Sequence, residues 1–449
     1  MESHAKVKSN LGALRAALEG GTIRQVRNLV NSLHPAENAR LLESLPPPER
    51  VVVWELIAEK DEGDVLVELN DEVRARLVEH MDADEVIAAT EGMELDDLAD
   101  FVADLPEAVT VQVIQSLSRQ DQERLQSVLS FPEDTAGGLM DPDTISVRPD
   151  VTLEVVLRYL RMQGDLPDKV ATVFVVDQHD HYLGALYINR LVTRDLQSTV
   201  SEVMDRSVEA IASDRPDTDV AMEFQDRDLI TAPVVDDNGK LIGQITVDDV
   251  MDVIQDQADH DILSMAGLDE EDDMFAPVIT STQRRAVWLG VNLATAFVVA
   301  GVVAIFKPTL DKVVILAVLM PVVASMGGIA GSQTLTLMIR GLALGRVHDA
   351  NARWLLVKEM AIGLLNGLGW AIVVAIVTIF FFSTWKVGVI IAAALMINLI
   401  TAAFAGFAIP LLLNKLRIDP ALAGTVVLTT VTDIIGFVAF LGLGTIFLT

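Results

Sequence analysis

Residues 421–448 indicate the fold class of this chain. Their sequence is A-L-A-G-T-V-V-L-T-T-V-T-D-I-I-G-F-V-A-F-L-G-L-G-T-I-F-L. It is long enough to cross a bilayer core as a helix, which takes about 20 apolar residues. Asp433 is its only acidic residue. A charge at membrane depth costs roughly 2.5–3.5 kcal/mol and usually faces a bundle interior or a water-filled path. We therefore expect a cation to accompany Asp433, with a protonated or locally capped carboxyl as the alternative.

Four more apolar runs precede this one, and the five together predict a helical membrane domain. They cover residues 287–306, 313–339, 360–382 and 387–413. A helix satisfies its backbone polar groups internally, so it is one of only two structures that span lipid. No Lys or Arg lies at the centre of any run, so we do not expect an internal ion pair for Asp433.

Charge divides at the same place along the chain. From residue 284 onward there are 11 Lys and Arg against 5 Asp and Glu, whereas residues 1–283 contain 22 Lys and Arg against 59 Asp and Glu, a net charge of −37. So acidic a region repels itself unless cations neutralise it. It is a poor partner for nucleic acid, and divalent cations are its natural partners. A solvated acidic surface is the alternative explanation for many of these charges.

The flanks of the apolar runs predict the orientation. Eight Lys and Arg lie on one side of the membrane and three on the other, and the side richer in cations is cytoplasmic. The first 30 residues are polar and lack an apolar core, so we expect no cleavable signal peptide. The chain contains no cysteine, which excludes disulfides and thiolate metal sites. We expect a multi-pass protein of the cell's inner or plasma membrane whose N-terminal domain is cytoplasmic.

Residues 1–135 predict an acidic domain of short helices arranged as hairpins. Apolar residues recur every three or four positions in A-L-R-A-A-L (13–18), R-N-L-V-N-S-L (27–33) and E-R-V-V-V-W-E-L-I (49–57). Asp96 and Asp100 are four residues apart and share a helix face, where like charges are unfavourable unless an ion bridges them. A solvated helix face is the alternative.

Residues 136–250 contain an internal repeat. V-F-V-V-D-Q-H-D-H-Y-L-G-A-L (173–186) recurs as A-P-V-V-D-D-N-G-K-L-I-G-Q-I (232–245). Each copy predicts two short strands around a tight turn, flanked by helices. The tandem resembles a pair of cystathionine-β-synthase (CBS) domains, which are α/β regulatory modules that often bind adenine nucleotides.

This resemblance implies at most one nucleotide site of the usual kind. A ribose-binding pattern of Gly, Thr or Ser, and Asp at three-residue spacing is present in the second copy as Gly243, Thr246 and Asp249. The first copy has Tyr187 and Arg190 in place of the hydroxyl and the carboxylate. ATP is the candidate nucleotide.

The two membrane segments that contain polar or helix-breaking residues predict an ion path. P-V-V-A-S-M-G-G-I-A-G-S-Q-T (321–334) can break a helix and expose its carbonyls, or its small residues can permit close helix packing. Thr425, Thr429 and Asp433 recur every four residues, as a polar stripe on one helix face. Mg²⁺ keeps much of its water and is held by one or two carboxylates. Two chains related by a twofold axis would present two such carboxylates, so a homodimer is expected.

The order of the domains and several short motifs resemble the MgtE family of magnesium channels over nearly the whole chain. Between the CBS pair and the membrane domain at 284–449 lies an acidic connecting helix, expected at 251–283, which makes the protein multidomain and mainly α. The motifs are G-G at 327–328, K-E-M at 358–360, I-D-P-A-L at 418–422 and T-D at 432–433.

The resemblance implies a homodimer whose pore is lined by the second and fifth spans, with Asp433 as the pore carboxylate. It also implies that cytosolic Mg²⁺, bound among acidic residues of the soluble domains, closes the pore. The implied regulatory residues are Asp96, Asp100, Asp228, Asp249, Asp252, Asp261 and Asp419.

This sequence departs from the family pattern at three positions. Gln257 and His260 stand where the family often has Glu on the connecting helix, and Ile329 stands where it has a pore-region Asn. Transport of Co²⁺ or another divalent cation, with or without proton coupling, is therefore the first alternative. A membrane-tethered nucleotide sensor that conducts nothing is the second. We do not expect an enzyme, because no P-loop, H-E-x-x-H or nucleophile motif is present.

Overall fold

The computed structural model describes residues 12, 23–103, 105–163, 171–268 and 273–449. The chain divides into two compact units, one formed by Met1–Ala258 with Glu271–Ala276 and the other by Asp259–Glu270 with Pro277–Thr449. The helix predicted at 13–18 lies outside the described residues.

Short helices build the first part of the first unit, as the apolar spacing predicts. Asn70 and Asp82 cap two of them: the Asn70 side chain accepts a hydrogen bond from Glu72 N, and Asp82 accepts from the backbone N–H of Asp84 and Glu85. The acidic cluster around Asp82 is therefore a helix N-terminus. The helices are α1 Ile23–Val30, α2 Pro35–Glu43, α3 Pro47–Trp54, α4 Glu59–Val67, α5 Asp71–Val78, α6 Ala83–Ala89, α7 Leu95–Ala103, α8 Glu107–Ser116 and α9 Arg119–Val128.

The internal repeat folds as two sheets of the same topology. In each sheet the first strand is parallel to the second, and the second is antiparallel to the third. The register is also shared, because Val175 opposite Gly184 corresponds to Val234 opposite Gly243. The CBS-like pair is thus confirmed. Its elements are β1 Ser146–Val147, α10 Leu153–Gln163, β2 Thr172–Val176, β3 Tyr182–Tyr187, α11 Ile188–Thr193, α12 Val200–Val203, β4 Ile211–Ala212, α13 Asp217–Arg227, β5 Thr231–Val235 and β6 Leu241–Thr246.

The connecting helix, α14, covers Val247–Ser264. It begins directly after β6 and is shorter than the segment expected at 251–283. Gly267 ends it in a turn with φ +71, a left-handed conformation that favours glycine. The ring of Trp288 fills the space where a side chain on Gly267 would lie.

A buried ion pair brings Asp273 back to the helical domain of the first unit. Arg50 Nη1 lies 3.0 Å from Asp273 Oδ2, and both side chains are 2% exposed. The same guanidinium donates to the carbonyls of Leu42 and Leu45 at 3.0 and 3.1 Å. Glu72 Oε2 accepts the backbone N–H of Asp273 at 2.7 Å. This network holds Asp273, which precedes the first membrane helix in sequence, against the helical domain of the first unit.

Five long apolar helices form most of the second unit, as predicted. They extend beyond the apolar runs because polar turns at their ends are also helical. The elements are α15 Val278–Ile305, α16 Lys307–Lys312, α17 Val314–Ala343, α18 Asp349–Phe382, α19 Trp385–Lys415 and α20 Pro420–Leu448. Each of the five long helices is long and apolar enough to cross a membrane. Their core includes Leu316, Ile391 and Phe440.

The second span is continuous. Helix α17 runs through Pro321, so of the two alternatives for this motif the structure does not show a broken helix. Its glycines instead permit close packing: a Cβ on Gly327 would lie 2.2 Å from Asn398 Nδ2, and one on Gly331 would lie 2.8 Å from Leu428 Cδ1. Small residues at helix contacts are the common membrane solution.

The buried Arg50–Asp273 pair predicts a large loss of stability when one partner is removed. Arg50→Ala should lower the free energy of unfolding by about 3 kcal/mol, because the buried Asp273 carboxylate loses its shorter ion pair and keeps Arg76 Nη1 at 3.6 Å. The measurement is denaturant unfolding of the full-length protein in detergent, followed by tryptophan fluorescence; of the five Trp residues, Trp54 is the one in the first unit. Arg119→Ala is the control, since its pair with Glu123 is 92% and 72% exposed and should contribute less than about 1 kcal/mol. Equal losses in the two variants would contradict this role for Arg50.

Candidate functional site

Asp433 lies in the middle of α20 and is half-buried among the membrane helices. Across the parts of the chain that the structure describes, no residue forms a hydrogen bond or an ion pair with its carboxylate. One turn earlier, Thr429 Oγ1 donates to Thr425 O at 2.9 Å, so its hydroxyl oxygen remains available as an acceptor. The predicted polar stripe of Thr425, Thr429 and Asp433 is therefore present on this helix.

Asn398 was not predicted, and it joins the three helices around Asp433. It is fully buried on α19, and its Nδ2 donates to Val323 O on α17 at 2.8 Å. Gly327 and Gly436 both approach its amide, and its Oδ1 has no partner among the described residues. A lone Asn at the centre of an apolar run was the signal in the sequence, but the contact itself depends on tertiary packing.

Glu359 is a second acidic residue of the membrane unit to which the sequence analysis gave no role. It is 5% exposed, accepts a hydrogen bond from Thr334 Oγ1 at 3.3 Å, and lies 3.5 Å from Lys358 Nζ. It lines a cavity of about 270 Å³ together with Arg346 and Trp354. The K-E-M motif at residues 358–360 was the sequence feature that could have identified Glu359. Its carboxylate, unlike that of Asp433, has a cation within the chain.

In the first unit, Asp96 is buried at 6% exposure at the start of α7, and its Oδ1 has no partner among the described residues. Burial and the neighbouring carboxylates of Asp249, Asp97 and Asp141 raise the pKa of Asp96 to about 9. Ligand oxygens of Glu94, Asp96 and Asp97 lie within 4.8 Å of one another. This cluster has the oxygen donors that a hard divalent cation prefers.

Asp249 joins this cluster from the first turn of α14. Its Oδ2 accepts hydrogen bonds from Thr246 N at 2.9 Å and from Thr246 Oγ1 at 2.8 Å. Asp141, which was not predicted, accepts from Asp143 N at 2.8 Å, and burial raises the pKa of its carboxyl. The cluster thus draws on three separate segments of the chain.

The other predicted regulatory residues differ in their exposure and in their place in the fold. Asp100 and Asp252 are exposed, and Asp261 is half-buried. Asp228 is exposed, with φ +51 at the end of α13. Asp419 caps α20 by accepting from Ala421 N and Leu422 N at 2.8 and 2.9 Å.

His260 lies beside Asp419 within the second unit. Its Nε2 is 3.4 Å from Asp419 Oδ2. Where the family often has a Glu on the connecting helix, this chain thus places an imidazole against a carboxylate.

The nucleotide pattern differs between the two CBS copies as expected. In the first copy, Arg190 Nη2 lies 2.8 Å from Asp205 Oδ2 and its guanidinium is 5.3 Å from the centroid of the Tyr187 ring. In the second copy, a Cβ on Gly243 would lie 2.6 Å from Met140 Sδ. Packing against Met140 therefore accounts for this glycine without a nucleotide.

Three family models match the chain in the order of its domains. Residues 33–134 match the MgtE intracellular N domain, residues 200–256 match the CBS domain, and residues 320–443 match the MgtE divalent cation transporter model.

Curated relatives match over nearly their full length. The magnesium transporter MgtE of Thermus thermophilus is 29% identical, with 97% of this chain and 98% of the relative covered. The magnesium transporter MgtE of Bacillus subtilis is 26% identical, with 96% of each chain covered. These relatives are named as transporters and not as enzymes.

One solved structure is the cytosolic domain of the Mg²⁺ channel MgtE in complex with ATP. It is 30% identical in sequence, with a TM-score of 0.50, and the match covers 54% of this chain and 99% of the solved chain. The helical domain, the CBS pair and the five membrane helices stand in the same order in the fold described above. The chain therefore belongs to the MgtE family of divalent cation transporters.

Proposed function

We propose that this protein conducts Mg²⁺ into the cytoplasm down its electrochemical gradient, along a path that contains Asp433. The observation that carries the proposal is a half-buried carboxylate at membrane depth with no partner among the described residues. The relatives are named magnesium transporters, and the polar stripe supplies further oxygen ligands. Co²⁺ transport is the alternative function, because Ile329 in the second span stands where the family has a pore-region Asn.

A homodimer completes this path in the proposal. One carboxylate per chain is few for a divalent ion, and Mg²⁺ in proteins commonly has one or two carboxylates with several retained waters. A twofold axis close to Asp433 would supply a second copy of the same carboxylate. Thr425 and Thr429 would then face the hydrated ion on either side.

Passive entry is energetically sufficient. An interior-negative potential of 100 mV favours entry of a divalent ion by about 4.6 kcal/mol, twice the value per unit charge. The sequence contains no P-loop that would indicate an ATP-driven motor.

The cytosolic carboxylates form the proposed sensor. Without a cation, Asp96 is protonated or repelled by Asp249 and Asp141. Bound Mg²⁺, with two positive charges, would offset most of the negative charge of the three carboxylates. Since an ion shifts an equilibrium only through its different affinities for two states, the cluster must be better formed in the closed protein. In the proposal, closing is driven by this difference.

Helix α14 is the element that would transmit the signal. Asp249 lies in its first turn, in the first unit, and His260 lies four residues before its end, in the second unit. His260 contacts Asp419, which caps the fifth span. A rigid helix between these contacts would couple occupancy of the cluster to the end of α20. Because His260 replaces an acidic residue, we propose that Mg²⁺ sensing depends mainly on the Asp96 cluster.

ATP binding in the second CBS copy is a further part of the proposal. Thr246 and Asp249 are adjacent at the start of α14, in the positions of the ribose pattern. A related cytosolic domain has been solved in complex with ATP. Asp249 would then serve both ligands, so ATP and Mg²⁺ would influence each other's binding.

Asp433→Asn should abolish Mg²⁺ uptake, because the amide keeps the shape but removes the negative charge. The measurement is the signal of a Mg²⁺-sensitive dye inside liposomes that contain the purified protein. Asp311→Asn is the matched control, since Asp311 is an exposed carboxylate in α16, and it should leave uptake unchanged. Normal uptake by Asp433→Asn would remove Asp433 from the pathway.

The double variant Asp249→Ala with Asp252→Ala should be less sensitive to inhibition by cytosolic Mg²⁺. The Mg²⁺ concentration that inhibits its current should rise at least about tenfold, which is the size of a typical allosteric coupling. Patch recordings with Mg²⁺ varied on the cytosolic face provide the measurement. The control, Asp226→Ala with Asp237→Ala, removes two exposed carboxylates and hence the same charge. A similar shift in both variants would indicate bulk charge and not a site.

Asp96→Asn should stabilise the Mg²⁺-free protein by at least about 1 kcal/mol at neutral pH, because it removes a buried ionisable group. With the pKa of Asp96 raised to about 9, the native state holds a proton that the unfolded chain releases above pH 4. Stability that depends on Asp96 is therefore complete below pH 4 and is lost as the pH rises towards 9.

The measurement is thermal unfolding of the full-length protein in detergent between pH 6 and pH 9, with and without Mg²⁺. The advantage of Asp96→Asn should grow with pH, and Mg²⁺ should stabilise the variant less than the wild type. Asp64→Asn, at an exposed carboxylate, is the control. A pH-independent difference, or full Mg²⁺ stabilisation of Asp96→Asn, would contradict the assignment.

A further inference from the structure

The turn between β2 and β3 gathers three metal-binding side chains in the first CBS copy. Its sequence is D-Q-H-D-H, residues 177–181. Ligand atoms of Asp177, His179 and His181 lie within 4.8 Å of one another. Asp177 Oδ2 and His181 Nδ1 are 3.0 Å apart. None of these residues takes part in the proposed pore or sensor.

The second CBS copy shows which features the turn itself requires. There Asp236 accepts the N–H groups of Asn238 and Lys240, each at 2.9 Å. In the first copy, Asp177 accepts the N–H groups of His179 and His181 at 2.8 and 3.0 Å.

The left-handed position of the turn is also equivalent in the two copies. It is Gly239, at φ +80, in the second copy and Asp180, at φ +65, in the first. The turn therefore forms with Asn and Lys at the positions of the two imidazoles. The fold accounts for the aspartate and leaves both histidines unexplained.

The donor set selects a class of metal. Two imidazoles with one carboxylate suit Zn²⁺, Ni²⁺, Co²⁺ or Cu²⁺, whereas Mg²⁺ and Ca²⁺ prefer oxygen ligands. Ligand atoms lie about 2.0–2.2 Å from a bound zinc ion, so atoms within 4.8 Å of one another need only small side-chain rotations to share one. The side chains of His181 and Asp177 are 45% and 36% exposed, which leaves water free to complete the coordination.

The nearby cations are held by a different carboxylate. Arg148 and Lys240 lie 3.1 and 3.7 Å from the oxygens of Asp180, so they pair with the residue that the cluster does not use.

We propose that the turn at residues 177–181 is a binding site for a divalent first-row transition metal, with Asp177, His179 and His181 as protein ligands. The site lies where the two CBS copies meet, because Leu241 N donates to Asp180 O at 2.9 Å and Tyr182 N donates to Gly239 O at 3.0 Å. A metal there would stiffen this junction. The site is independent of the Mg²⁺ path and of the carboxylate sensor.

The test is equilibrium binding of Zn²⁺ to the full-length, tag-free protein in detergent, in competition with a chelating dye and with Mg²⁺ in large excess to fill the oxygen sites. The wild type should bind one Zn²⁺ per chain at this site. His179→Asn with His181→Lys reproduces the turn of the second copy and should weaken this binding by more than about 100-fold, beyond the usual effect of losing an outer-shell partner.

His80→Asn, which removes an exposed imidazole elsewhere, is the control and should bind Zn²⁺ as the wild type does. X-ray absorption of the Zn²⁺-loaded wild type should show two imidazole ligands. The single variant His179→Asn, at an exposed position, should lose one of them and guards against misfolding of the double variant. No Zn²⁺ binding in excess Mg²⁺, or equal binding by the wild type and the double variant, would overturn the proposal.

Discussion

The Asp433 carboxylate lies between packed membrane helices, and none of the described residues offers it a hydrogen bond or a countercharge. A charge in such surroundings is expensive unless water or a cation accompanies it. Asn398 ties α17 to α19 through Val323 O, and Gly327 and Gly436 allow that contact. The polar stripe of Thr425, Thr429 and Asp433 lies along one face of α20.

The soluble unit shows two different solutions for a buried carboxylate. Asp273 has a cation of the chain, Arg50, and both side chains are 2% exposed. Asp96 is buried to a similar degree, and its charged neighbours Asp249, Asp97 and Asp141 are carboxylates, so burial and these charges raise its pKa. The first arrangement is complete without a ligand and holds the fold together. The second leaves Asp96 Oδ1 without a partner among the described residues, which is why we propose it as the Mg²⁺ sensor.

Much of the fold could be predicted from sequence because the signals are local. Apolar runs predict the spans, and the repeat predicts two matching sheets. The residues of the candidate site were harder to predict, since the burial of a side chain depends on tertiary contacts. Asp96 and Asp100 are equivalent by spacing, yet one is buried and the other is exposed. Arg50 and Asp273 are 223 residues apart, so nothing local links them. Helix α17 continues through Pro321 because packing outweighs local propensity.

The central claim is that a cation supplies the countercharge of Asp433. The most direct measurement is a high-resolution structure of the full-length protein in lipid nanodiscs with saturating Mg²⁺. We expect two chains related by a twofold axis, with density for a hydrated ion between their Asp433 carboxylates and none there after chelation. An Asp433 side chain that faces lipid, or that pairs with a Lys or Arg away from the axis, would contradict it.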